Sequence, residues 1–320
     1  MWKFAPILKT TIWGGDRIIP FKGLSSSLSE VGESWEISGV TGSESVVEGG
    51  PDDGLALTGL IKRHGASLLG KRNYTKFGNS FPLLVKFIDP STDLSVQVHP
   101  DDKLAIERGH TNGKNEMWYV VSAEKGTRIA NGFNREINPA ELDGLLEKEG
   151  IEHVLNYINV SPGDVYVVPA GRVHAIGAGA FVIEIQQTSD VTYRIYDYHR
   201  KDRDGNEREL HIDLAKDAIN YNDTEGQAVE YTHRRDIPVN VVRSPFFTTN
   251  ILETDTEFIR DYTESDTFVI LVAADGEADI TCGNDTIRLR RGNTVLIPAS
   301  APGVTISPRH NIKLLETYIS

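Results

Sequence analysis

The chain has 320 residues, 39% of them hydrophobic and 25% charged, and a formal net charge of −13. That composition is ordinary for a soluble globular protein of one large domain or two, and the negative balance argues against nucleic acid or an anionic membrane as a partner. No apolar run is long enough to span a membrane, no charged-then-apolar leader opens the sequence, and the lone Cys282 forms no internal disulfide, so the cytoplasm is the expected location.

Residues 1–19 read as extended chain with a turn at Trp13-Gly14-Gly15, and 32–38 as a strand in which Trp35 and Ile37 alternate. Helical spacing follows over 54–71 (Leu57, Leu60, Ile61, Leu68, Leu69), interrupted by Gly65. A dense apolar strand over 81–89 carries Lys86. The next strand, Leu94 to His99, ends at Pro100-Asp101-Asp102. Side chains on a strand alternate faces, so Ser95, Gln97 and His99 share one side and Leu94, Val96 and Val98 the other. Three polar groups on one face fit either the exposed side of an edge strand or a strand lining a polar cavity, where Gln97 and His99 can converge on a metal ion.

Asp101 or Asp102 can cap a short helix over 101–110. Residues 115–122, rich in aromatic and β-branched side chains, form a strand. Helical spacing returns over 139–157, broken by Gly150, and strands follow at 164–168, 181–186 and 192–196. Residues 199–209 read as a charged, solvated loop and 213–221 as a short helix. From 241 to the end the pattern is strands and turns. Strand–helix alternation is missing, which argues against a doubly wound sheet, and the strand spacing is that of a sandwich or barrel.

The sequence also repeats itself. Residues 162–171 resemble 291–300 at an offset of 129, and 117–123 resemble 268–274 at an offset of 151. The difference of 22 equals the length of the stretch 137–158, so a helical insertion in the first copy explains both offsets. At these offsets Gly303 stands opposite His174 and Thr267 opposite Glu116, which leaves the second copy without ligand-type side chains. The expected domains are a catalytic one over 1–235, with its insertion near 137–158, and a metal-free one over 236–320.

Gly163-Asp164, Pro169-Ala170-Gly171 and His174 resemble the second motif of the cupin family. The first cupin motif has two histidines and a glutamate; here Gln97 replaces the first histidine, while His99 and Glu116 fit the other positions. Gln97, His99, Glu116 and His174 are thus an N/O set suited to Zn²⁺ or another divalent ion. The fold this implies is mainly β: tandem cupin (jelly-roll) β-barrels with a few peripheral helices.

Within the cupins the chain resembles the type I mannose-6-phosphate isomerases, in their short bacterial form. The resemblance rests on Trp13-Gly14-Gly15, on 32–36 and 81–87, on 94–102 with its Gln97-Val98-His99-Pro100-Asp101, on 113–119, on the His174 turn and on 189–197. It implies interconversion of mannose 6-phosphate and fructose 6-phosphate through a cis-enediol, with one Zn²⁺ per chain at Gln97, His99, Glu116 and His174. Arg194 matches the family's catalytic arginine, and Asp190 lies four residues before it. Lys114 shares a strand face with Glu116; the general base is open among Lys114, Asp190 and a metal-bound water. Ser95 and Lys86 match family residues for the phosphate, and Arg172 is added for its nearness to His174. The substrate is then a small sugar phosphate and the protein a monomer or homodimer. Two rivals are a cupin oxygenase using iron, which Gln97 and the cation set disfavour, and a non-catalytic sugar-phosphate sensor, which would not need Arg194 with Asp190.

Overall fold

Alternation gives each strand of the N-terminal half two faces with different partners. The computed structural model describes residues 1–202 and 204–320. A six-stranded antiparallel sheet runs in the order Val165–Val168, Glu116–Ala123, Ala180–Gln187, Leu83–Ile88, Val31–Ile37, Ile7–Gly15. A five-stranded sheet runs Tyr193–Tyr196, Val96–Val98, His174–Ile176, Arg128–Phe133, Leu155–Asn159. Trp118, Tyr166, Val168 and Val182 of the first meet Ile129 and Ile176 of the second, so the two sheets pack face to face.

The outer faces are covered as well. Val96, Val98, Ala175, Tyr193 and Ile195 pack against the helices Pro139–Glu147 and Ile212–Ala218 through Leu142 and Ala215. Val85, Phe87, Met117, Tyr119, Ile183 and Ile185 pack against Phe268, Ile270, Val272 and Leu315 of the C-terminal half. Period two then sends their neighbours inward: Lys86, Glu116 and Glu184 from one sheet, Gln97, His174 and Arg194 from the other. The interior between the sheets is therefore apolar at one end and ionic at the other.

The mainly β expectation holds, with helices at the periphery, but the sheets are open layers of a sandwich rather than closed barrels. The C-terminal half is built on one nine-stranded sheet whose long strands Val269–Cys282 and Gly303–Tyr318 pair along most of their length. Its path also includes Trp2–Ala5, paired with Thr294–Ile297, and Val46–Val47. A cut at residue 235 therefore separates the chain but not the sheets.

Other expectations change in detail. The polar-faced strand is only Val96–Val98, with Ser95 and His99 flanking it. The helix expected over 139–157 stops at Glu147, and Leu155–Asn159 is a strand on Arg128–Phe133, with Ile129 opposite Ile158. Sheet pairing overrides local helical spacing there. Helices Ile18–Lys22 and Lys71–Phe77 were not anticipated. Gly65 does break its helix, at φ +52, where a side chain is strained. Asp101 is the cap of Asp102–Glu107, accepting from the Leu104 N–H.

The repeat pairs as expected but in a different register. Val168 lies opposite Glu116 in the first copy, and its counterpart Ile297 lies opposite Val269 in the second. The residue in the place of Glu116 is thus Val269, two positions beyond Thr267. The second copy lacks the carboxylate on either alignment.

Candidate metal centre and its cavity

Gln97 sits between two strands, directly across from His174 on one side and Arg194 on the other. Glu116 approaches from the opposite sheet, and His99 follows the end of the Gln97 strand, its carbonyl accepting from the Gly171 N–H of the turn before His174. One ligand atom each from His99, Glu116 and His174 lies within 4.8 Å of the others, and all three residues are buried. Among the described residues this is the one such cluster.

The donors are arranged for a cation. His174 Nδ1 donates to the Arg172 carbonyl at 2.9 Å, which leaves the Nε2 lone pair facing Glu116 Oε1 at 3.4 Å. His99 Nε2 lies 3.5 Å from Glu116 Oε2. The Gln97 amide is 3.3 Å from His174 Nε2, and a half-turn of the amide presents its oxygen there. Both Glu116 oxygens are buried; Oε2 has the Lys114 ammonium at 3.1 Å, and Oε1 has no hydrogen-bond donor. Buried carboxylate oxygens without donors are costly unless a cation supplies the missing charge. Two imidazoles, a carboxylate and an amide fit a divalent ion such as zinc.

Burial, the largest cause, lowers His174 to about 3 and lowers His99 well below its ordinary value, with Lys114 adding to the effect on His99. Both rings are therefore neutral, as ligands must be. Burial pushes Glu116 up to about 7 against the opposing pull of Lys114. Lys114 Nζ is 2.9 Å from His99 Nε2 and 3.1 Å from Glu116 Oε2.

Above this cluster lies a cavity of about 340 Å³ whose lining includes Ser95, Gln97, Lys114, Asp190, Arg194 and Lys86. Asp190 is exposed at the rim and also lines a neighbouring cleft of about 440 Å³ beside His110 and Thr188. Arg194 is half-buried. Its Nη1 donates to the Glu209 carbonyl at 2.7 Å, its Nε is buried without a partner, and its backbone N–H donates to His211 Nδ1 at 3.1 Å. Burial and then the nearby Arg208 lower its pKa. Lys86 pairs with Glu184 at 2.8 Å beneath the Trp35 ring; burial, the largest cause, opposes its charge, but Glu184, Glu33 and Glu116 together hold the pKa high.

Arg172 departs from expectation. Its Nε and Nη2 each donate to Asp223 at 2.7 Å, its Nη1 donates to the Val167 carbonyl, and it does not line the cavity. Closeness in sequence to His174 does not bring its side chain to the phosphate end, because the guanidinium turns to Asp223.

Glu184 and Arg208 are among the lining residues to which the sequence assigns no role. Glu184 is a lone charge inside an apolar strand, the same signal that marks Lys86, and the two stand opposite each other in the ladder. Arg208 belongs to the loop read as solvated, and nothing local marks it.

Two facing sheets with a buried His–His–Glu cluster under a cationic cavity define a metal-binding enzyme of the cupin type. Residues 1–130 match the family described as phosphomannose isomerase type I, catalytic domain. The chain is 35% identical over 292 residues to mannose-6-phosphate isomerase of Streptococcus mutans, covering 90% of this chain and 89% of that one. It is 33% identical over 298 residues to the mannose-6-phosphate isomerase ManA of Bacillus subtilis, covering 92% of each. The crystal structure of the mannose 6-phosphate isomerase from Bacillus subtilis superposes with a TM-score of 0.89 at 32% identity, over 99% of this chain and 98% of that one. The chain belongs to the type I phosphomannose isomerase family.

Proposed function

We propose that this protein interconverts mannose 6-phosphate and fructose 6-phosphate by moving a proton between C2 and C1 through a cis-enediol. The observation that carries this reading is the convergence of His99, Glu116 and His174 beneath a cavity that also holds Lys114 and Arg194. Gln97, His99, Glu116 and His174 would hold the metal, one zinc ion per chain. When bound, the ion polarises the sugar oxygens as a Lewis acid.

The remaining work falls to the chain itself. Arg194, unable to lose its proton, faces the negative charge that develops on the substrate oxygen. Its Glu209 carbonyl contact orients the guanidinium without neutralising it. We assign proton transfer to Lys114, which lies deep beside the cluster, and give exposed Asp190 the lesser role of a rim contact. Ser95 and Lys86 serve the phosphate end, Lys86 as a charge whose position Glu184 sets.

We further infer a catalytic N-terminal unit and a metal-free C-terminal unit, a cytoplasmic location and a monomer or homodimer in solution. No helix among the described residues is long and apolar enough to cross a membrane. The decisive experiment is coupled turnover of mannose 6-phosphate by purified protein, before and after chelation and after zinc is restored. Turnover lost with chelator and regained with zinc is expected. Tight binding of the sugar phosphate without turnover in the metal-replete protein would overturn the isomerase and make it a sensor.

A further inference from the structure

Arg208 also lines the cavity, although it comes from the charged loop beyond Arg194. What holds it there is Asp197, a carboxylate only 5% exposed. Arg208 donates to Asp197 from Nε at 2.7 Å and from Nη2 at 2.5 Å. Arg200 grips the same carboxylate and is itself tied to Thr92 Oγ1 at 3.1 Å and to the Asp93 carbonyl. That tie fixes the loop to the turn just before Ser95.

The ladder says which end of the cavity this is. Arg194 lies opposite Gln97 and Tyr196 opposite Val96. The next residue, Asp197, therefore comes alongside the Ser95 end of the strand, away from the metal cluster. Two successive non-glycine residues, Tyr198 at φ +55 and His199 at φ +53, turn the chain back at that point. Left-handed backbone at such residues is strained and persists only where the surroundings enforce it.

The cations here outnumber their buried carboxylates. Lys86 and Lys114 each have a buried carboxylate at close range, Glu184 and Glu116. Arg194, Arg200 and Arg208 share one buried carboxylate, Asp197; exposed Glu209 also acts on Arg194, and Arg208 opposes its charge. The Arg208 side chain is 23% exposed, and its Nη1 has no hydrogen-bond partner among the described residues. A planar fork held from behind by a carboxylate, with one edge free, is suited to a phosphate oxygen.

We propose that Arg208 binds the phosphate group of the substrate at the Ser95 end of the cavity, and that Asp197 is the positioning residue that holds it there. This rests on the isomerase reading and names the residue that anchors the non-reacting end of the substrate. Anchoring that end sets how far the sugar reaches toward Gln97 and the metal cluster.

The test compares Arg208→Gln, Arg208→Lys and Asp197→Asn with the unmodified holoenzyme. Each is assayed for mannose 6-phosphate turnover, and inorganic phosphate binding is titrated by calorimetry. Arg208→Gln should raise KM by about tenfold to a hundredfold, with kcat falling much less, and weaken phosphate binding by a similar factor. Asp197→Asn should shift KM in the same direction by less, and Arg208→Lys should recover part of the loss. Bound metal should stay at the unmodified level in all three. Should Arg208→Gln fail to fold, Arg208→Lys, which keeps the charge and loses the fork, carries the same comparison. Unchanged KM and phosphate affinity in the arginine variants overturn the proposal. If the unmodified protein lacks turnover, the isomerase reading fails, and the phosphate titration still decides whether Arg208 binds phosphate.

Discussion

Arg194 and Gln97 face each other across one antiparallel ladder, so the residue assigned to the developing charge is in register with a residue assigned to the metal. Both side chains enter the space between the sheets, because their ladder neighbours Tyr193 and Val98 pack outward against the helices. The spacing between Gln97 and the guanidinium is thus a property of the sheet. A loop could not hold it as closely, since paired strands move together.

Removal of His174, a proposed metal ligand, tests the cluster. His174→Ala should lose metal and turnover together, with zinc measured by elemental analysis after dialysis. The ring is fully buried and its Nδ1 is committed to the Arg172 carbonyl, so no other side chain replaces its lone pair. Full metal stoichiometry in this variant would remove His174 from the ligand set.

Arg194→Gln should separate binding of metal from chemistry. We expect kcat to fall about a hundredfold to a thousandfold, the scale of losing one preorganised charge-stabilising donor, while zinc content stays at one per chain. Near-normal kcat would place charge stabilisation elsewhere.

Lys114 and Asp190 make different predictions because one is buried and the other is not. Lys114→Met should lower kcat by about 10² to 10⁴, the range of general acid–base catalysis, and Asp190→Asn by less than about tenfold. Steady-state kinetics, together with exchange of the C2 deuteron into solvent, reads both. The reverse order of effects would transfer the proton to Asp190.

The Lys86–Glu184 pair makes a stability prediction with a sign. Burial alone would raise Glu184; its ion pair with Lys86, and then Lys114, lowers it instead, to about 2 from the ordinary 4.5. A depressed carboxylate stabilises the fold above its unfolded pKa, and that contribution is lost as pH falls from about 4.5 toward 2. Glu184→Ala leaves Lys86 charged and unpaired in the interior and should cost about 3–5 kcal/mol at neutral pH. Urea unfolding at neutral and acid pH measures it: the deficit of the variant should shrink as the pH is lowered through that window. A deficit that does not change with pH would mean that the loss comes from packing.

In the C-terminal half, Glu316 accepts four hydrogen bonds, two from Arg260 at 2.7 and 2.8 Å, one from Tyr262 at 2.7 Å and one from Asn250 at 2.8 Å. It is fully buried, and its partners saturate both oxygens. Glu316→Ala should destabilise the protein by about 3–5 kcal/mol, again by stranding a cation. The kcat of the folded fraction should not change, because this network lies in the half without a metal cluster. Denaturation curves and kcat on the same samples check both statements.

Local chemistry made much of this protein legible from its sequence. Period-two alternation marked Ser95, Gln97 and His99 as one face; a proline-glycine turn announced His174; a single charge in an apolar run marked Lys86. These signals depend on neighbours within a few residues, and the chain carries them whatever it packs against. Ladder register and side-chain direction depend on partners far along the chain, and only the tertiary structure decided them. It brought Glu116 across from the opposite sheet to His99 and His174. It turned Arg172 to Asp223, set Glu184 opposite Lys86, and carried Arg208 out of a charged loop into the cavity through Asp197. For Arg172, Glu184 and Arg208 the partner is a counter-charge elsewhere in the chain, and for Glu116 it is two histidines of the facing sheet, which no local pattern contains.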